Sequence, residues 1–358
     1  MYCHDMATAP AHPTLGFYTL AGAPQSPRDM LGELAHAERL GLGTAFISER
    51  FNIKEAGALT GAAVATTSSL NIVTAATNHT TRHPLVTASW ASTLHLMSEG
   101  RFSLGLGRGI EAMFKAYGMP MATTSSLEEF AHLMRRLWNG ETVMNWTDLT
   151  GTYPVLRLDP AFSLSIPLSI TVFGQQTLEM AGRAYDNVIL HTFFTDETTE
   201  RAVRTVKHSA ERAGRDPDTV KVWSCFATIG DHIAPELRLK KTVGRLATYL
   251  QAYGDLMVKT NKWDPAVLQR FRTDDFVRTF PGALDAKGTT EDLERVAPLI
   301  PTEWLAPSAQ GSPEQCVAAI QNQFALGCDG VIMHGATPAE LEPIVMKFGQ
   351  LTASTNPM

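Results

Sequence analysis

The sequence predicts a (β/α)8 barrel from three observations: eight short apolar, β-rich runs, helical patterns between them, and no clean apolar–polar alternation within the runs. Continuous apolar runs are what strands covered on both faces require, and that makes the sheet parallel. The runs are residues 15–20, 44–49, 71–77, 101–107, 168–173, 187–191, 220–228 and 330–334. An open doubly wound sheet is the alternative, but eight strand–helix units is the count a barrel needs.

The helices are legible at their ends. Ser26-Pro27-Arg28-Asp29 reads as cap, first-turn proline and first-turn acid, and Gly41 closes that helix. Ser312-Pro313-Glu314-Gln315 opens the helix before the eighth strand, and Gly327 closes it. Residues 1–13 read as an N-terminal tail and 14–352 as one barrel domain. Two intervals exceed a simple connection. Residues 118–167 hold a helix over 127–138 and a hairpin around Thr150, Gly151 and Thr152; residues 231–311 hold several helices rich in Arg, Lys and Asp. They follow strands 4 and 7, so both are expected on the active-site rim.

Composition narrows the function. A formal net charge of -6 from intermixed charges leaves no electrostatic footprint for nucleic acid. No apolar run reaches the roughly 18 residues needed to cross a bilayer, and the N-terminus has no signal-peptide pattern. Cys3, Cys225, Cys316 and Cys328 form no CxxC pair, which argues against a disulfide framework or structural zinc and suits a reducing cytoplasm.

Chemistry concentrates where strands end. The third runs into Ala75-Ala76-Thr77-Asn78-His79-Thr80-Thr81-Arg82-His83-Pro84, small residues that let the backbone approach a flat ring, followed by donors and acceptors. His79 and His83 have the spacing of a metal pair on a helix, but Pro84 makes His83 a helix start, so no metal is assigned. The fourth strand ends in Gly105-Leu106-Gly107-Arg108-Gly109, which fails the dinucleotide fingerprint because its sixth position is Ile110. These glycines read instead as backbone thinned beside a ligand, with Arg108 either on a phosphate or solvated.

After the fifth strand, Phe173-Gly174-Gln175-Gln176-Thr177 opens a helix whose free backbone N–H groups could receive a phosphate, or which is an ordinary tight turn. Glu49 with Arg50, His191, Ser224 and His334 complete the strand-end polar residues. Each histidine is either an acid–base group or a hydrogen-bonded wall residue.

TNHTTRHP, the helix ending in SEGRFSLGLGRG, AGRAYDNVIL and GSPEQCVAAIQNQFALGCDGVIM together resemble the bacterial luciferase-like superfamily, over nearly the whole chain. Its members have a (β/α)8 barrel and use reduced FMN or the deazaflavin coenzyme F420. The third-strand segment is similar to the F420-dependent branch. That resemblance implies a non-prolyl cis peptide at Ala75-Ala76 behind the ring, and Thr77 and Asn78 at its polar edge. It further implies Arg108 and Gly109 along the ribityl path, and Gly174 to Thr177, beside Phe173, at the phosphate.

The resemblance also implies a homodimer. Glu49-Arg50 stands where sugar-phosphate-oxidising members carry Asp-His, which argues against sugar oxidation. The expectation is therefore hydride transfer between coenzyme F420 and a small organic substrate, with Glu49, His79, His191 and His334 as candidate proton donors or acceptors. The alternatives are an FMN-dependent monooxygenase fed by a separate flavin reductase and a non-catalytic ligand-binding barrel.

Overall fold

The computed structural model describes residues 9–355, apart from 22, 23 and 25. All eight apolar runs form strands: β1 (His12–Tyr18), β2 (Leu42–Ile47), β3 (Asn71–Thr74), β4 (Phe102–Leu106), β5 (Leu168–Thr171), β6 (Asn187–Ile189), β7 (Lys221–Gly230) and β8 (Gly330–His334). Each pairs in parallel with the next, and β8 returns to β1 through Leu15↔Val331, Gly16↔Ile332 and Phe17↔Met333, which closes the barrel.

Helices α1 (Asp29–Arg39), α2 (Ala56–Thr66), α3 (Pro84–Met97), α4 (Thr124–Trp138), α5 (Gln175–Ala184), α6 (Asp196–Arg212), α7 (Pro313–Ala325) and α8 (Pro338–Thr355) follow the strands. The interior is small, filled by Phe46, Val73, Ala75, Ile189, Cys225 and Ile332, while the main core lies between barrel and helices. None of these helices is long and apolar enough to cross a membrane.

Three expectations need correction. The tail was set at residues 1–13, but β1 already begins at His12; residues 1–8 lie outside the described residues. Helix α1 begins at Asp29 with Arg28 as its cap residue, because Ser26 Oγ instead accepts from Arg28 N at 3.1 Å in the preceding turn.

Residues 118–167 are not all insertion. Their helix is the barrel's own α4, packed between α3 and α5, and the antiparallel hairpin Val143–Asp148/Gly151–Leu156 follows that helix rather than a barrel strand. Its Tyr153 ring meets His83, at the start of α3, at 4.5 Å.

Residues 231–311 do form a rim structure. Their helices pack a second core around Leu246, Leu250, Met257, Phe271 and Trp304, and the segment returns as a short strand, Ala309–Gly311, parallel to the end of β7. Its long helix, Arg245–Asn261, follows a π turn over Lys240–Gly244 and is broken at Tyr253 (φ -154, ψ 36). Lys241 Nζ donates to Gly335 O after β8 at 2.7 Å, Asn261 Nδ2 to Phe193 O after β6 at 3.0 Å, and Leu256 lies beside Gly174 after β5. The insertion is a lid over the C-terminal mouth.

Candidate active site

On the β3–β5 side the mouth is built from backbone. Ala75-Ala76 is a cis peptide at the end of β3, and beyond it Thr77 bridges Leu106 of β4 in parallel. Ala75 N donates to Ile47 O at 2.7 Å and Glu49 N to Ala76 O at 3.2 Å on the β2 side; Thr77 N donates to Gly105 O and Gly107 N to Thr77 O, both at 3.0 Å, on the β4 side. The close approach depends on glycine. A Cβ on Gly105 would drive into the Thr74 carbonyl oxygen, and one on Gly107 would stand 2.6 Å from Thr171 Oγ1 and 2.9 Å from Ala76 Cβ. Gly109 holds φ +75 against Phe114.

Arg108 is exposed, and its Nε donates to Ala122 O at 3.1 Å. At β5, Gly174 is the cap residue of α5, and the first intrahelical amide is Leu178 N to Gly174 O at 3.0 Å. The backbone N–H groups of Gln175, Gln176 and Thr177 thus have no intrahelical acceptor. Thr177 Oγ1 donates to Gly174 O at 2.8 Å.

Glu49 is held differently from the sequence expectation. Its side chain is 4% exposed and accepts from Thr77 Oγ1 at 2.6 Å, Asn78 Nδ2 at 3.3 Å, Ala56 N at 3.2 Å and both terminal nitrogens of Arg82. Arg82 also pairs with Glu55, the cap of α2, and its guanidinium lies 5.3 Å from the Trp90 ring centroid. These carboxylates hold Arg82 firmly protonated against the burial that opposes it. Glu49 is therefore a fixed acceptor that shapes the Thr77–Arg82 loop, and the side chains of Thr77 and Asn78 are spent in the same network.

His79 is also withdrawn. It is 1% exposed, neither ring nitrogen has a partner, and the ring packs on Phe130 of the outer helix α4 at 5.0 Å. Burial lowers its pKa to about 4. The unfolded chain takes up the proton first, so this stability is fully present above pH 6.5 and drains away as pH falls toward 4. It amounts to about 3 kcal/mol at full extent. His79→Phe loses no hydrogen bond and should flatten the acid limb of stability between pH 6.5 and 4 in denaturant titrations; an unchanged slope would refute the assignment.

His191 and His334 do face the mouth, in company that the sequence reading missed. His191 Nδ1 is 3.0 Å from Thr192 O and its Nε2 is 3.0 Å from Tyr253 Oη. The carbonyl fixes the proton on Nδ1, so Nε2 accepts from the phenol. Burial lowers His191 to about 4, and the ring sits 4.3 Å from Phe173 and 5.0 Å from Tyr249.

His334 meets Tyr18 edge-on at 5.4 Å, and its pKa is held well below the usual range by burial and then by Arg245. Arg245, Tyr249 and Tyr253 fall at i, i+4 and i+8 of one helix, a single stripe, and that spacing was available in the sequence.

With this geometry in hand, comparison decides the family. The model of the luciferase-like monooxygenase family matches residues 10–330. The chain belongs to that family. Among relatives of this luciferase-like protein, 5,10-methylenetetrahydromethanopterin reductase of Methanolobus tindarius is 27% identical over 336 residues, 90% of this chain and 96% of the relative.

Among solved structures, the coenzyme F420-dependent tetrahydromethanopterin reductase of Methanopyrus kandleri aligns with TM-score 0.76 at 20% identity, covering 93% of this chain and 97% of that one. An F420-dependent secondary alcohol dehydrogenase in complex with an F420-acetone adduct aligns with TM-score 0.69 at 17% identity, covering 94% and 98%. These likenesses establish the shared barrel fold.

Proposed function

We propose that this luciferase-like protein is a coenzyme F420-dependent oxidoreductase, and that the cofactor when bound exchanges a hydride between C5 of its deazaflavin and a small organic substrate lying over it. The observation that carries the reading is that the ends of three adjacent strands, β3, β4 and β5, carry little side chain: the small pair Ala75-Ala76, the glycines at 105, 107 and 109, and the free amides after Gly174. A planar ring fits against the first, a ribityl chain past Gly109 and Arg108, and a phosphate on the amides of Gln175, Gln176 and Thr177. The coenzyme F420-dependent reductase of Methanopyrus kandleri, which shares this barrel, supports the same cofactor.

The chain's own contributions are positioning, exclusion of water by the lid, and proton handling. Phe173 walls the site beside His191. The neutral His191 accepts the Tyr253 hydroxyl proton, so that phenol turns its oxygen lone pairs to the mouth as an acceptor, and His334 is the other candidate proton-handling group. Pairing as a homodimer and action in the cytoplasm, where the buried free thiols of Cys225, Cys316 and Cys328 stay reduced, belong to this reading.

The test is spectral titration of the purified protein with F420 and with FMN. F420 should bind more tightly, and Gly107→Ala should weaken it by about ten-fold or more, since its new methyl group must displace Ala76 or Thr171. Tight FMN binding without F420 binding would support a monooxygenase instead.

A further inference from the structure

The other half of the mouth carries cationic groups whose bonding the fold leaves incomplete. Arg50 and Lys54 follow β2, His334 ends β8, and Arg245 reaches over them from the lid. Their charges are mutually felt: Arg50 and Arg245 both disfavour the Lys54 cation, and both disfavour protonation of His334.

Lys54 is 5% exposed, yet among the described residues its ammonium has one hydrogen-bond acceptor, Leu20 O at 2.9 Å, with Glu33 as the facing carboxylate. Burial lowers it to about 8. Arg245 pairs with Asp285 at 2.7 Å, but among the described residues its buried Nε has no partner, and neither does the buried His334 Nδ1. The half-buried Arg50 guanidinium makes no hydrogen bond or ion pair among the described residues. Tyr18 and Tyr249 stand beside these groups as aromatic surface.

Desolvated cations with unfilled donors are costly unless an acceptor arrives with a ligand. Arg50 and Lys54 follow β2, next to the Ala75-Ala76 end of β3, so a group they hold would lie beside the ring position and away from the amides after β5.

We infer that the substrate carries an anionic oxygen group, a carboxylate or a phosphate, bound by Arg50, Lys54 and Arg245, with its apolar remainder against Tyr18 and Tyr249. The assignment rests on the reading that the cofactor occupies the β3–β5 side. Charge-assisted hydrogen bonds from three cations give such a group an advantage over a neutral isostere of about ten-fold or more.

The probes are benzoate, phenyl phosphate and neutral benzyl alcohol, titrated calorimetrically at constant ionic strength into the protein alone and into the F420-saturated protein. One of the two anions should bind at least about ten-fold more tightly than benzyl alcohol, and whichever anion it is names the group. Arg50→Gln should remove that advantage while leaving benzyl alcohol and F420 affinities unchanged, and Lys54→Gln should act in the same direction. Equal binding of all three probes, or full anion affinity in Arg50→Gln, would overturn the inference.

Loss of F420 affinity in Arg50→Gln would overturn it too, by giving these cations to the cofactor. If the parent binds no F420, the functional reading fails, and anion discrimination by the protein alone still decides the present one.

Discussion

Gly105→Ala will cost the fold about 3 kcal/mol or more and lower its thermal midpoint by roughly 5 °C or more. Gly105 sits within β4, where its bare Cα lets the Thr74 carbonyl come into contact, and the nearest atom to an added methyl is backbone, which cannot swing aside. Thr74 Oγ1 donates to Gly105 O at 2.9 Å, so the strands are clamped together at that level. Relief requires β3 to move away from β4, and Thr77 N to Gly105 O would part with it.

Calorimetry reads the first effect and F420 titration the second, because the Ala75-Ala76 floor is carried by the same bonds. A variant with the parent's midpoint would mean that β3 and β4 do not approach this closely.

Glu49→Ala should destabilise the protein by about 3–5 kcal/mol, the range for removing one partner of a buried ion pair. Arg82, 18% exposed, would keep one carboxylate, Glu55, itself 55% exposed, beside its bond to Thr77 Oγ1 at 2.9 Å, and the hydroxyl of Thr77 and amide of Asn78 would lose their shared acceptor. Chemical denaturation measures the loss. Glu49→Ala combined with Arg82→Met should cost less than the sum of the two changes, since the double variant buries no orphan charge. Glu49→Gln distinguishes this structural role from proton transfer. An amide still accepts hydrogen bonds, so most turnover should survive; abolished turnover with a stable fold would return Glu49 to the chemistry.

The strands were legible because a parallel barrel buries them on both faces, and their apolar runs need no periodicity to be seen. Strand β8 falls on residues 330–334 as expected, and β6 differs only at its end. At the third strand, regular pairing stops at Thr74, and the run is interrupted at Ala75-Ala76 before Thr77 bridges β4 again.

What the sequence concealed were choices made by distant partners. Nothing local to Glu49 tells that Arg82 will claim it, and His79 resembles any loop histidine until α4 presents Phe130. The hairpin falls where Thr150, Gly151 and Thr152 put it, but it and the outer helix before it lie together between two strands, and only packing separates helix from insertion.

The lid has a core of its own, which meets the barrel chiefly through Phe173, Phe193 and Ala227. That division gives the two parts independent tolerances. Lid side chains packed within the second cluster can be exchanged without opening a cavity in the cluster between barrel and outer helices. Such a molecule can acquire a new substrate without renegotiating its cofactor.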